Sequence, residues 1–501
     1  MESLGYLLQG FETASSWSNL LLCLVGVTFG MFVGVLPGLG PTAGTALLLP
    51  LTFGLPPVSA VIMLSGIYYG AMYGGTITSV LINTPGESAS LMTCMDGYPM
   101  AKQGRAGTAL GIAAIGSFIG GMFALAALIF VGPFVATQAL KFGPPEYFSL
   151  VVVGLSLLVG LMGKSLVRGL IAAFFGLALS FVGMDSSTGT IRFGFGIEEL
   201  EDGFEFVSIA MGLFGLSEIF ITAEENLNAQ AQKPPKIQNM LPRRDEWIPA
   251  LKAILRGSGI GMILGLIPGT NSVIPTILSY SIEKKAAKDP SRFGNGAIEG
   301  VAAPETANNA YAGAALIPLF TLGIPSSPAI TVLLGAFIMH GLTPGPTLMQ
   351  KNPEFVWGII ASMFIGNLLL LIMNLPLANV WARITMIPFK ILLPNVLIIM
   401  ILGAYSISNS MFDVMAMFAF GVLGYFMKKV QFPLGPVLLA FVLGKILENS
   451  LLKSLTIFGG SFAPFFSRPI SATLLIIAMM IIAVSIYFGY KEKGIASDAE
   501  M

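Results

Sequence analysis

Charge is what this sequence has least of. Asp, Glu, Lys and Arg together make up 10% of its 501 residues, where a soluble domain carries roughly 25%. That is too little to coat a water-facing surface of this size. Histidine is confined to His340, at an expected helix end before "GLTPGP". A single histidine provides no His/Cys cluster for a metal centre and speaks against a Ser–His nucleophile. The two cysteines, Cys23 and Cys94, both stand in apolar runs, so no disulfide framework is indicated. HExxH, GxSxG and a phosphate-binding lysine motif are missing, which disfavours an intramembrane enzyme and an ATP-driven pump. Lys plus Arg balance Asp plus Glu at 26 each, and no basic arm points to nucleic acid. The first basic residue is Lys102. The N-terminus thus lacks the basic region of a cleavable signal peptide, and its first apolar segment is expected to be retained.

What is abundant is apolar length. Hydrophobic residues are 55% of the chain and mean hydropathy is +0.83, the mark of an integral membrane protein. A spanning helix needs about 20 mostly apolar residues. Candidate segments fall near 17–36, 58–82, 107–136, 146–163, 166–184, 204–222, 253–281, 309–340, 354–381, 391–408, 411–427, 433–450 and 470–490. Gly and Pro interrupt several of them, so the number of full spans is ten to twelve. Segments this long exclude a β-barrel. Basic residues gather in cytoplasmic loops. The stretch 223–256, with Lys233, Lys236, Arg243, Arg244, Lys252 and Arg256, is therefore expected inside, as are the loops carrying Lys102/Arg105, Lys164/Arg168, Lys284–Arg292 and Lys428/Lys429. The acidic loop 185–203 and the N-terminus are expected outside, and the C-terminus with Lys491 and Lys493 inside.

"GVLPGLGPTAG" (Gly34–Gly44) has an echo in "GLIPGTNSVIP" (Gly265–Pro275), with Gly34, Pro37 and Gly38 falling on Gly265, Pro268 and Gly269 at an offset of 231. "LINTPGESA" (Leu81–Ala89) is echoed by "TLGIPSSPA" (Thr321–Ala329), with Pro85 on Pro325 at an offset of 240. The glycine spacing is not a dinucleotide loop, because no strand precedes it and no βαβ unit surrounds it. The charge pattern starts residue 17 outside and its counterpart near 248 inside. The expected fold is an all-α polytopic membrane protein in two inverted-topology repeats with broken helices or re-entrant hairpins, whose substrate site lies where the breaks meet. Its organisation is expected as a first repeat 1–230, a cytoplasmic linker 231–250, a second repeat 251–450, and an added membrane helix and tail over 451–501.

Non-helical backbone survives in hydrocarbon only where protein or a watery cavity satisfies it. Helices restarting after a break present free N–H groups and a positive dipole end, which suits an anion. The substrate-binding candidates are Gly38, Gly40, Thr42, Asn83, Thr84, Gly86 and Ser88 in the first half. In the second half they are Thr270, Asn271, Ser272, Asn308, Asn309, Ser326 and Ser327. Ionisable groups at membrane depth are costly and usually functional. Glu87 and Glu305 are the coupling-ion candidates, with Asp96 and Glu299 weaker because each lies near a cytoplasmic loop. No cofactor is expected beyond Na⁺ or H⁺ as coupling ion. A channel remains the alternative at this stage, and an intramembrane enzyme the weaker one.

"GVLPGLGPTAGTALLLPLTFGL", "GIYYGAMYGGTITSVLINTPGESAS" and "AAPETANNAYAGAALIPLFTLGIPSSPAITVLLGAF" resemble the TctA-type large membrane subunit of tripartite tricarboxylate transporters, and the likeness runs over nearly the whole chain. The resemblance implies a secondary carrier of small di- or tricarboxylates in the bacterial inner membrane. It also implies a small TctB-like membrane partner, and a periplasmic TctC-like binding protein that captures the acid and delivers it.

Overall fold

In a computed structural model the described residues are 2–36, 38–162, 165–185, 188–226, 235, 237–387 and 389–499. Pro37, Lys164, Lys233, Lys236 and most of the first part of the 231–250 segment lie outside them. The first half comprises α1 (Glu2–Ala14), α2 (Trp17–Val35), α3 (Gly40–Leu48), α4 (Pro57–Ile82), α5 (Leu91–Lys102), α6 (Ala106–Ala139), α7 (Pro144–Met162), α8 (Leu166–Ser180), α9 (Phe206–Ala210) and α10 (Ser217–Asn226). A π-helical stretch, Met211–Leu216, joins the last two. The second half comprises α11 (Trp247–Gly265), α12 (Val273–Ala286), α13 (Glu299–Ala314), α14 (Leu316–Leu322), α15 (Pro328–Met339), α16 (Leu348–Lys351), α17 (Pro353–Asn374), α18 (Ala378–Ile384), α19 (Phe389–Ser408), α20 (Met411–Lys429), α21 (Gly435–Ile457), α22 (Ala463–Ser467) and α23 (Pro469–Ala499). Strands are limited, among the described residues, to a two-residue antiparallel pair, Gly183–Met184 just before the acidic loop with Ile191–Arg192 within it. Among the described residues ten helices are long and apolar enough to cross a membrane, and Pro144–Leu157, Leu166–Ser180 and Pro328–Met339 are shorter apolar ones.

Two of the long apolar runs are broken at their Gly/Pro motifs, and one helix lies outside the expected segments. The run 253–281 is not one helix: it stops at Gly265 and restarts at Val273. The run 309–340 is divided among α13, α14 and α15. Each break holds a glycine in left-handed backbone, Gly269 (φ 82°) in the turn after α11 and Gly323 (φ 71°) as the cap of α14, a conformation that side-chain-bearing residues resist. The amphipathic α1 is too short to register as a span. It is held by packing against α17, where Tyr6 stacks on Trp357 at 6.4 Å and Gly10 sits against the Trp357 carbonyl.

The two halves are held internally by the same device. On α2, a Cβ added to Gly26, Gly30 or Gly34 would lie 2.3, 2.4 and 2.3 Å from the carbonyl oxygens of Met63, Ile67 and Ala71 on α4. On α11, a Cβ on Gly257 or Gly261 would lie 2.6 and 2.3 Å from the carbonyls of Ala303 and Ala307 on α13, and one on Gly265 would lie 2.8 Å from that of Tyr311. The glycines are related by 231 residues and their partners by 240, the two offsets of the sequence motifs. Small residues spaced by four let membrane helices approach backbone to backbone, where dispersion is the main attraction available in lipid.

Loops assigned to one side of the membrane by charge meet at one end of the bundle. Arg105 pairs with Glu246, and Gln103 donates to the Asn295 carbonyl at 2.9 Å. Residues 238–240 are docked as well: the Thr108 hydroxyl donates to the Asn239 carbonyl at 3.1 Å, and Gly107 and Gly111 leave room for the Gln238 and Met240 carbonyls. Elsewhere, Arg192 of the acidic loop pairs with Glu448 on α21, and Arg468 pairs with Glu146 on α7.

Candidate functional site

Each half contains two interruptions, and they match in backbone as well as in sequence. Gly38 (φ 93°) and Gly269 (φ 82°) take left-handed turns at the first break. Asn83 (φ 56°) and Gly323 (φ 71°) are left-handed caps at the second. Four residues on, Glu87 and Ser327 stand at extended N-cap positions (φ −137° and −148°). Proline fits after these breaks, because Pro41 and Pro328 occupy the first turn of α3 and α15, where no N–H is needed. The restarting helices are capped from within. Asn271 Oδ1 accepts from the Val273 and Ile274 N–H groups at 3.1 and 3.3 Å. Ser327 Oγ accepts from the Ile330 N–H at 3.3 Å.

Two buried carboxylates tie the halves together at this level. Glu87 Oε1 accepts from Asn308 Nδ2 at 2.7 Å. Glu305 accepts from the Thr76 hydroxyl at 2.6 Å and from the Thr93 hydroxyl. Ser117 supports the same helix by accepting from Asn309 Nδ2 at 2.8 Å. Tyr311 donates to the Thr270 carbonyl at 2.6 Å and approaches that of Ser326 at 3.5 Å. The hydroxyl of Ser326 is used locally, donating to the Ala315 carbonyl at 3.0 Å.

The candidates named from sequence therefore fall into three groups. Glu87, Glu305, Asn308, Asn309, Ser326, Ser327 and Thr270 are buried, joined by separate hydrogen-bonded links: Glu87 with Asn308, Glu305 and Asn309 around Ser117, and Tyr311 with the Thr270 and Ser326 carbonyls. Gly40 lies next to Glu87, since its Cβ would be 3.9 Å from that of Glu87, while Gly86 is packed against the Gly34 carbonyl and Gly75. Asn83, Thr84 and Ser88 are exposed, and Thr42, Asn271 and Ser272 are partly so. The helices restarting after the first breaks pack against the second break of the other half, α3 against α15 and α12 against Ser88–Ser90. Gly38 faces Glu218 and Thr222 of α10, where the Thr270–Ser272 turn was expected, and Glu218 is paired with Lys428. Thr76, Thr93, Ser117 and Tyr311 were missed. Thr76 and Ser117 lie in long, largely apolar helices and Thr93 and Tyr311 in helices of mixed polarity, and only their hydrogen-bond partners distinguish them from packing residues.

The two weaker carboxylates are engaged by loops. Asp96 is fully buried; its Oδ1 accepts from the N–H groups of Gly294, Gly296 and Ala297 at 2.8–2.9 Å, and Oδ2 accepts from Tyr280 at 2.9 Å. Glu299 pairs with Arg292 at 3.1 Å. Asp96 thus fastens α5 to the segment that starts α13. Asp96→Ala would orphan three amides and a phenol, and is expected to cost about 3 kcal/mol or more. Thermal unfolding in detergent reads this, together with faster proteolysis of 287–298. An unchanged melting temperature would exclude the fastening role.

A cavity of about 970 Å³ lies apart from the breaks, at the end of the bundle carrying the acidic loop. Glu205, Asp413, Lys445 and Lys453 line it, and burial followed by the charge of Asp413 pushes the Glu205 carboxyl up from its ordinary range. Phe206 and Gly335 also line it, and the Phe206 ring fills the space where a Cβ on Gly335 would stand, at 2.0 Å. A wall loop reaches the second break: the Pro344 carbonyl would be 2.9 Å from a Cβ on Gly323.

Comparison with known proteins decides what class of molecule carries this arrangement. Residues 20–439 match the family described as the tripartite tricarboxylate transporter TctA family. The chain belongs to that family. Both sets of breaks, the glycine ladders and the Glu87–Asn308 and Glu305–Thr76 bonds all lie within the matched residues. TctA proteins form a transporter family, so the chain is a multi-span membrane component of tricarboxylate transport and not an enzyme. An Agrobacterium vitis protein described as an uncharacterized 52.8 kDa protein in the TAR-I ttuC' 3' region is 45% identical over 493 residues, 98% of this chain and 98% of its own. A second one from that organism, an uncharacterized protein in the TAR-II ttuC' 3' region, is 45% identical over 233 residues, 46% of this chain and 96% of its own. No solved structure matches.

Proposed function

We propose that this TctA-family protein is the carrier subunit of a secondary active importer of a small di- or tricarboxylate. The acid is bound between the duplicated breaks, and a Na⁺ or H⁺ gradient drives its uptake. The observation that carries the reading is the Glu87–Asn308 bond, which joins the second break of one half to the polar helix of the other at 2.7 Å. A site shared by two halves opens and closes when they move against each other. The halves are read as inverted repeats, with the N-terminus outside and the C-terminus inside the bacterial inner membrane, on the strength of the charge pattern and the recurrent offsets.

In this mechanism the N-termini of α12 and α15 and the backbone at Gly38, Gly40 and Gly86 face the substrate's negative charge. Thr42, Asn83, Thr84, Ser88, Asn271, Ser272, Ser326 and Ser327 supply hydroxyls and amides. Glu87 and Glu305 take the coupling cation or proton, which offsets the substrate charge in a region without an arginine. A small TctB-like membrane subunit completes the membrane part. A periplasmic TctC-like protein delivers the acid to the cavity bounded by Phe206, which serves as the outer vestibule.

The test is uptake into proteoliposomes holding this subunit and its small membrane partner, with binding protein outside and labelled di- and tricarboxylates offered with and without an inward Na⁺ or proton gradient. Binding-protein-dependent uptake of one acid is expected, reduced at least about tenfold in Asn271→Ala. Uptake intact in Asn271→Ala would return the first break to a packing role. No gradient-driven uptake of any acid would overturn the carrier reading.

A further inference from the structure

Ten buried side-chain polar atoms among the described residues have no hydrogen-bond partner, and four of them are Tyr68 Oη, Tyr69 Oη, Asn308 Oδ1 and Asn309 Oδ1. Tyr68 and Asn308 are 240 residues apart, as are Tyr69 and Asn309, which is the offset that relates α4 to α13 and Asn83 to Gly323. An orphaned buried polar atom is costly and calls for an explanation. Here the orphans recur at two adjacent positions in both halves, which is a pattern of the site and not an accident of one side chain.

The 68/308 pair points at the breaks. Tyr68 is fully buried, with Glu87 and Ser327 among its polar neighbours, and its hydroxyl makes no well-formed hydrogen bond. Asn308 spends its amide nitrogen on Glu87 and leaves its oxygen free. The Tyr68 O–H is thus a donor without a well-formed bond near the N-cap residues Glu87 and Ser327, and Asn308, bonded to the same Glu87, carries an unused acceptor in Oδ1.

We infer that Tyr68 and Asn308 are the paired substrate contacts of the two halves, with Tyr68 donating to a carboxylate oxygen and Asn308 Oδ1 accepting from a hydroxyl of the same molecule. The substrate class this matches is a small hydroxycarboxylate. The assignment rests on the carrier reading above and adds to it a residue pair and a selectivity. A site built to hydrogen-bond a substrate hydroxyl rejects the analogue lacking it, because the polar group is otherwise left unpaired.

The test uses the reconstituted system described above, offered citrate, malate, tartrate and succinate. Tyr68→Phe keeps the ring and removes only the orphaned oxygen. It is expected to raise the KM for the preferred acid about tenfold to hundredfold, the loss of one hydrogen bond to a charged acceptor, with a smaller effect on maximal rate. The same variant should melt at or above the wild-type temperature in substrate-free detergent, since it removes an unsatisfied buried group. Wild type is expected to take up malate at least about tenfold better than succinate, which differs only by the hydroxyl. Unchanged KM in Tyr68→Phe, or a lowered melting temperature with KM unchanged, would overturn the Tyr68 contact. Equal handling of malate and succinate would overturn the Asn308 contact. Both results leave the carrier reading standing; wild type inert towards every acid in every gradient removes the carrier reading and this assignment together.

Discussion

Gly30→Ala and Gly261→Ala each unfold or grossly destabilise the protein, by at least about 3 kcal/mol, although each adds one methyl group. The expectation follows from where that methyl would go. On Gly30 it would lie 2.4 Å from the Ile67 carbonyl oxygen and 2.8 Å from the Gly70 Cα, and on Gly261 2.3 Å from the Ala307 carbonyl. These obstacles are backbone, so no rotamer change relieves them. The helices must separate, and every neighbouring contact along α2–α4 or α11–α13 weakens with them. Overpacking usually costs 1–3 kcal/mol; a clash repeated along a rigid helix pair belongs at or beyond the top of that range. Gly259→Ala is the control. It sits on the same helix as Gly261 with nothing within 4 Å of the added carbon, and there alanine gains roughly 0.5–1 kcal/mol in helix preference. Melting temperatures of the three variants in detergent decide the matter. Gly261→Ala melting with Gly259→Ala would show that the close approach does not hold the repeat together.

Glu305→Gln separates structure from coupling. Glu305 is 1% exposed, and both its oxygens are engaged by hydroxyls of the first half, Thr76 and Thr93. Glutamine keeps the shape. It can still accept from one threonine and donate to the other after that hydroxyl rotates, so the fold should survive with a melting temperature within a few degrees of wild type. What it cannot do is carry a charge or exchange a proton. Gradient-driven uptake is therefore expected to fall about a hundredfold or more, while exchange of internal for external substrate without a gradient is less affected. Glu305→Ala is expected to lose stability as well, because two buried hydroxyls lose their acceptors. Full gradient-driven uptake by Glu305→Gln would exclude Glu305 as a coupling group and leave it as a clamp between the halves.

Much of this protein was written in its sequence in a form that simple rules can read. The deficit of charge and the length of the apolar runs put it in a membrane, because lipid accepts only apolar surface and internally bonded backbone. The duplicated Gly/Pro strings located all four breaks, because glycine and proline act on their own backbone and so announce themselves locally. "NTPGESAS" and "PETANNA" were specific enough to point to the family, since strings of polar residues are rare at membrane depth.

The tertiary structure alone decided which polar residues share a site. Gly38 was expected opposite Thr270–Ser272 and lies against Glu218; Asp96 was weighed as a coupling group and is a fastener for the Gly294–Ala297 segment. Tyr68 drew no notice at all, because one tyrosine in "GIYYGAMYGG" reads as an interior aromatic. Its standing comes from an unpaired hydroxyl and from Asn308 at the matching place 240 residues later. Periodicity reports which face of a helix is apolar, but here nearly the whole of α4 is buried, so its pattern carries no facing information. Only the packing of one half against the other tells which of its polar atoms are satisfied and which are left without a partner.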